Sequence, residues 1–96
     1  MVYDRSTRRM NVLFSGRVQG VGFRYTACRL AESFNVTGFV RNLMNGDVEL
    51  VAEGSEQELL ELYHDIRTSH LGRHITSDQL SWSKPTDEYS TFRISY

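Results

Sequence analysis

The chain holds one cysteine and one proline in 96 residues, and each scarcity is informative. A lone Cys28 makes no intrachain disulfide, so stability must come from packing, and a reducing compartment, the cytoplasm, is the expected setting. No apolar run approaches the roughly 20 residues that a membrane-spanning helix needs, so no membrane association is expected. The N-terminal MVYDRSTRRMN carries basic residues with no apolar stretch after them and does not read as a secretory leader. An excess of one charge is also missing: 11 basic residues face 12 acidic ones, for a net charge of −1. Nucleic-acid binding usually needs a clear basic excess, so no nucleic-acid partner is expected.

What is present suits one folded domain. The apolar share is 40% and the charged share 24%, ordinary values for a globular protein with one modest core. Residues 1–10, with Arg5, Arg8 and Arg9 among few apolar neighbours, read as a solvated N-terminal tail. The domain then runs from 11 to 96, without repeats, linkers or low-complexity segments.

Within it, periodicity changes several times. A first strand is expected from Asn11 to Val18, where Val12, Phe14, Gly16 and Val18 alternate with Leu13, Ser15 and Arg17. From Phe23 to Phe34 the period is helical: Phe23, Ala27, Leu30, Ala31 and Phe34 form one apolar stripe, and Asn35 suits a left-handed C-terminal cap. Cys28 lies off the centre of that stripe with no histidine nearby in sequence and reads as a packing residue. Strands are expected over 36–43 and 47–53, joined by an Asn45-Gly46 hairpin in which both residue types tolerate positive φ. In the second of these strands Val48, Leu50 and Ala52 face one way, and Asp47, Glu49, Val51 and Glu53 the other.

Ser55 and Glu58 make the S-x-x-E start of a second helix, whose stripe is Leu59, Leu62, Tyr63 and Ile66. A polar linker, TSHLGRHITS, follows. Leu80 and Trp82 suggest a fourth strand, and Phe92, Ile94 and Tyr96 a last short one. The order βαββαβ plus a terminal strand predicts an α/β (α+β) ferredoxin-like two-layer sandwich, an antiparallel sheet with both helices on one face.

The stretch GRVQGVGFR, residues 16–24, places three glycines in seven residues and then an arginine. Such a turn, Val18, Gln19, Gly20, Val21, Gly22 and Phe23, can aim successive backbone N–H groups at an anion, and the positive end of the first helix points the same way. Arg24 adds a planar fork suited to phosphate oxygens. The expected helix carries the chain roughly 17 Å away. The following strand returns it roughly 20 Å, which brings Asn42 back beside Arg24. A phosphate fits these donors better than a carboxylate. The stretch offers no nucleophile and no carboxylate cluster for magnesium, and no metal or other cofactor is expected. His64, His70 and His74 span a helix end and a polar linker and read as surface residues. Positioning and charge alone suffice when the leaving group departs easily, as the carboxylate of an acyl phosphate does.

GRVQGVGFR and GFVRNLMNGDVELVAEG, residues 38–54, closely resemble the two signature motifs of the acylphosphatases. The resemblance runs from about residue 11 to 96 and includes the closing FRISY. It implies a ferredoxin-like enzyme that hydrolyses acyl phosphates to a carboxylate and phosphate. It further implies Arg24 as the phosphate-binding catalytic arginine, Asn42 as the residue that orients the attacking water, and the backbone of 18–23 as the phosphate cradle. The expected partners are a small acyl phosphate and inorganic phosphate, the latter as product and competitive inhibitor, and the protein is expected to act as a monomer. The chain departs from the family between the second helix and the fourth strand. There LGRHITSDQLSW stands where many members have a Gly-Pro turn and a valine-rich strand.

Two rival readings share the scaffold. An RNA-recognition module stacks bases on aromatics of its first and third strands, and DVELVAE has none. A non-catalytic phosphate-binding module, like the one that precedes larger domains in hydrogenase-maturation carbamoyltransferases, would retain the turn. The short chain favours a stand-alone enzyme.

Overall fold

The computed structural model describes residues 7–96; of the tail expected over 1–10, residues 1–6 lie outside them, and residues 8–10 belong to a strand. The elements are β1 (Arg8–Gly16), α1 (Phe23–Ala31), β2 (Thr37–Asn42), β3 (Val48–Gly54), α2 (Glu56–Thr68), a 3₁₀ turn (His70–His74), β4 (Ile75–Ser83) and β5 (Phe92–Ile94). They form one sheet in the order β4-β1-β3-β2-β5. The fold is the expected ferredoxin-like sandwich. Its first four strands pair antiparallel, whereas β5 runs parallel to β2, which makes the sheet mixed.

Both helices bury their stripes on one face of the sheet. Met10, Val12 and Phe14 of β1 and Val48, Leu50 and Ala52 of β3 meet Phe23, Ala27 and Ala31 of α1 and Leu59, Leu62 and Ile66 of α2. Leu30, Phe34, Tyr63 and Cys28 pack against this core from its margin. β1 starts at Arg8, three residues before the expected start, because Met10 is needed in the core and is fully buried. Arg8 then pairs with Glu56 and lies over the Trp82 ring, while Arg9 pairs with Glu53.

One cap expectation needs correction. α1 ends at Ala31, and the backbone continues through bonds of the i to i+3 kind from Glu32, Ser33 and Phe34. Asn35 does not take the left-handed conformation; among the described residues Asp87 is the only non-glycine that does. The Asn35 backbone N–H instead donates to the Glu58 carboxylate at 2.7 Å. The Ser55 hydroxyl does accept from the Glu58 N–H, as expected. Glu58 thus ties α2 to the α1–β2 connection. At the β2–β3 hairpin only Gly46 adopts positive φ, while the Asn45 side chain accepts from the Asp47 N–H.

The supposed polar linker is structured. Leu71 is fully buried in the 3₁₀ turn, and β4 begins at Ile75, several residues before Leu80. β4 is an edge strand that points Asp78 inward, where it accepts from Tyr63 and pairs with Arg67 of α2. An inward charge of this kind discourages further strand pairing. From β4 the chain must reach β5 at the opposite edge, and the crossing segment 84–91 covers one end of the helix-free face. Glu53, expected on the open face of its strand, is buried beneath it. Its carboxylate accepts from Arg9, the Thr86 N–H and hydroxyl, and the Asp87 N–H.

Candidate active site

At the other end of the sheet, the β1–α1 turn, the start of α1 and the end of β2 surround a recess of about 160 Å³. Its walls are Val18, Gly20, Gly22, Phe23, Arg24, Tyr25, Asn42 and Ile94. Sequence reasoning brought Arg24 and Asn42 together by length alone. They meet although α1 is shorter than expected, because residues 32–36 complete the outward path before β2 returns.

The turn is shaped by two left-handed glycines, Gly20 at φ +79° and Gly22 at φ +77°. A Cβ at either would meet nothing within 4 Å, so it is conformation and not crowding at that atom that calls for glycine here. Gly22 is also the N-cap of α1, and no side chain caps that end. The first N–H groups of the helix are therefore without a capping side chain beside the recess. Val18 and Phe23, at the two ends of the turn, are buried in the core and fix it in place. Val21 packs against that core and does not line the recess.

Arg24 lies on the first turn of α1, with its guanidinium 5.1 Å from the Tyr96 ring. Among the described residues no carboxylate pairs with it. Arg41, an exposed residue of β2, pairs across the hairpin with Glu49 at 2.6 Å. The recess thus holds a guanidinium without an acidic partner, helical N–H groups and a neutral amide, a set suited to a small oxyanion. No group of three or more His, Cys, Asp or Glu gathers among the described residues. Burial, with Glu32 nearby, pushes the Cys28 thiol above its ordinary value, which disfavours a nucleophilic thiolate.

Sequence reasoning missed three features around the recess. Ile94 arrives through the parallel pairing of β5, a long-range contact with no local signal. Tyr25 sits next to Arg24 on the rim, 61% exposed, where Arg29 donates to its hydroxyl at 3.0 Å. Its exposure follows from lying off the apolar stripe. The third is the bonding of the side chain of Gln19, a residue expected only for its backbone; that side chain turns toward the β2–β3 hairpin.

A ferredoxin-like sandwich with an oxyanion-sized recess at its first strand-to-helix turn defines a structural class; comparison with known proteins narrows it. The acylphosphatase family model matches residues 10–94, and the chain belongs to that family of hydrolases. It is 38% identical over 85 residues to an acylphosphatase of Caldanaerobacter subterraneus subsp. tengcongensis, covering 88% of this chain and 94% of the other. It is 40% identical over 86 residues to one from Moorella thermoacetica, covering 90% and 91%. Among solved structures, acylphosphatase from Bacillus subtilis superposes with a TM-score of 0.82 at 29% identity, covering 93% of this chain and 99% of that one. Full-length HypF, in its phosphate- and nucleotide-bound form, also gives 0.82, but at 23% identity and over 12% of its own chain, a likeness of fold. No helix among the described residues is long and apolar enough to cross a membrane.

Proposed function

We propose that this protein hydrolyses acyl phosphates to a carboxylate and inorganic phosphate by direct attack of water. The phosphoryl group sits in the recess against backbone N–H groups of the 18–23 turn, with Arg24 on its oxygens and Asn42 orienting the water. The water oxygen bonds to phosphorus as the bond from phosphorus to the carboxyl oxygen breaks. The carboxylate leaves with the bonding pair, and one water proton passes to the phosphate or to solvent. Because a carboxylate is a good leaving group, no general acid is needed, and placement with charge stabilisation lowers the barrier. The reaction requires no metal or other cofactor.

The observation that carries this reading is the meeting of Arg24 and Asn42 in one recess with Gly20 and Gly22. The family supports it, as does the absence of an acidic partner for Arg24 among the described residues. The test is phosphate release from acetyl phosphate and benzoyl phosphate, with and without excess chelator. Turnover should be equal in both conditions. Folded protein that releases no phosphate would make the recess a binding site only, and a chelator-sensitive rate restored by magnesium would refute the metal-free mechanism.

A further inference from the structure

The β1–α1 turn and the β2–β3 hairpin are far apart in sequence, yet one side chain joins them. The Gln19 amide nitrogen donates to the Leu43 carbonyl at 2.7 Å and to the Asp47 carbonyl at 2.8 Å. These two carbonyls belong to the residues that close the hairpin: Leu43 N–H donates to Asp47 at 2.9 Å, and Gly46 N–H to Leu43 at 3.1 Å. A primary amide has two N–H donors, so both carbonyls are served at once. The reverse orientation would set the amide oxygen against two carbonyl oxygens, which fixes the assignment. Leu43 directly follows Asn42, so the contact lies one residue from the side chain that faces the recess.

We infer that Gln19 is a positioning residue whose side chain sets the distance between the phosphoryl cradle and Asn42. This rests on the roles proposed above for the cradle and Asn42. The Gln19 backbone belongs to the turn that holds the phosphoryl group, and its side chain grips the strand end that holds the water. Without the grip, the turn keeps its glycine-determined shape while the hairpin drifts relative to it. The attacking water is then misplaced, though phosphate still binds.

Gln19→Met keeps length and removes both donors. It should lower kcat about tenfold while the inhibition constant for inorganic phosphate stays within about twofold. In an Asn42→Ala background the same substitution should change kcat less than about twofold, because the group it positions is already gone. A loosened fold would instead weaken phosphate binding and depress kcat by the same factor in both backgrounds. Gln19→Asn, too short to reach both carbonyls, serves as a second variant should Gln19→Met fail to fold, and the same split is expected. Unchanged kcat in Gln19→Met, or equal losses with and without Asn42, would overturn the inference. Normal kcat in Asn42→Ala alone would instead strike the role of Asn42, and with it this inference.

Discussion

The two ends of the sheet hold similar side chains in opposite circumstances. At one end Arg9 meets Glu53, and the Glu53 carboxylate is also bonded by Thr86 and Asp87 under the crossing segment. At the other end Arg24 has an aromatic ring beside it and, among the described residues, no acidic partner, while Asn42 borders an open recess. An arginine whose bonds are used internally holds a fold together, whereas one left with unused donors is available to a ligand. The difference separates a structural pair from a candidate catalytic one without appeal to residue type.

Substitutions at the open end should affect chemistry and spare folding. The largest effect is expected at Arg24: Arg24→Ala should reduce kcat/KM by about 10³-fold or more, as loss of a phosphoryl-stabilising arginine does. Arg24→Lys should remain badly impaired, because an ammonium lacks the bidentate fork. Thermal unfolding of both variants should stay close to that of the parent. Next comes Asn42→Ala, expected to lower kcat about 10²-fold with KM nearly unchanged, since it removes orientation and not binding. Steady-state kinetics on benzoyl phosphate separate these outcomes, and parallel loss of kcat and binding in Asn42→Ala would erase the proposed division of labour.

The closed end should behave in reverse. Burial pushes the Glu53 carboxyl upward, but the Thr86 and Asp87 N–H groups, the Thr86 hydroxyl and Arg9 outweigh it and hold the group below its ordinary value. A depressed folded-state value means that Glu53 contributes its full stability above the ordinary carboxylate value of about 4.3 and loses it as pH falls through the lower folded value. Glu53→Gln turns an acceptor into a donor facing N–H groups and should cost about 1–3 kcal/mol near neutral pH. Urea midpoints measured from pH 6 down to pH 3 should fall less steeply for the variant than for the parent. kcat per folded molecule should not change, and a loss of kcat in fully folded Glu53→Gln would mean that the two ends are coupled.

The sequence was more legible at the open end. Its determinants are local: left-handed glycines in GRVQGVGFR, an arginine on the first turn of a helix, and a strand whose length returns Asn42 to the start. The closed end depends on contacts far apart in the chain. Glu53 looked like a solvated strand residue because its partners, Thr86 and Asp87, come from a segment with no periodic pattern. Leu71 was hidden among polar neighbours, and Asn35 took its conformation from Glu58 and not from its own capping preference. Met10 belonged to the core although basic residues precede it. The parallel pairing of β5 was equally invisible, since three residues carry no signal of their partner.

The central claim is that the recess beside Arg24 is where the phosphoryl group binds, and direct titration with inorganic phosphate tests it most simply. Calorimetry or amide chemical shifts would be followed for the parent protein, Arg24→Ala and Arg9→Ala, each shown to be folded. The account predicts one phosphate site that Arg24→Ala weakens by at least about tenfold and Arg9→Ala leaves intact, with shifts centred on residues 18–24. Phosphate bound equally well by Arg24→Ala, or lost equally in Arg9→Ala, would contradict it.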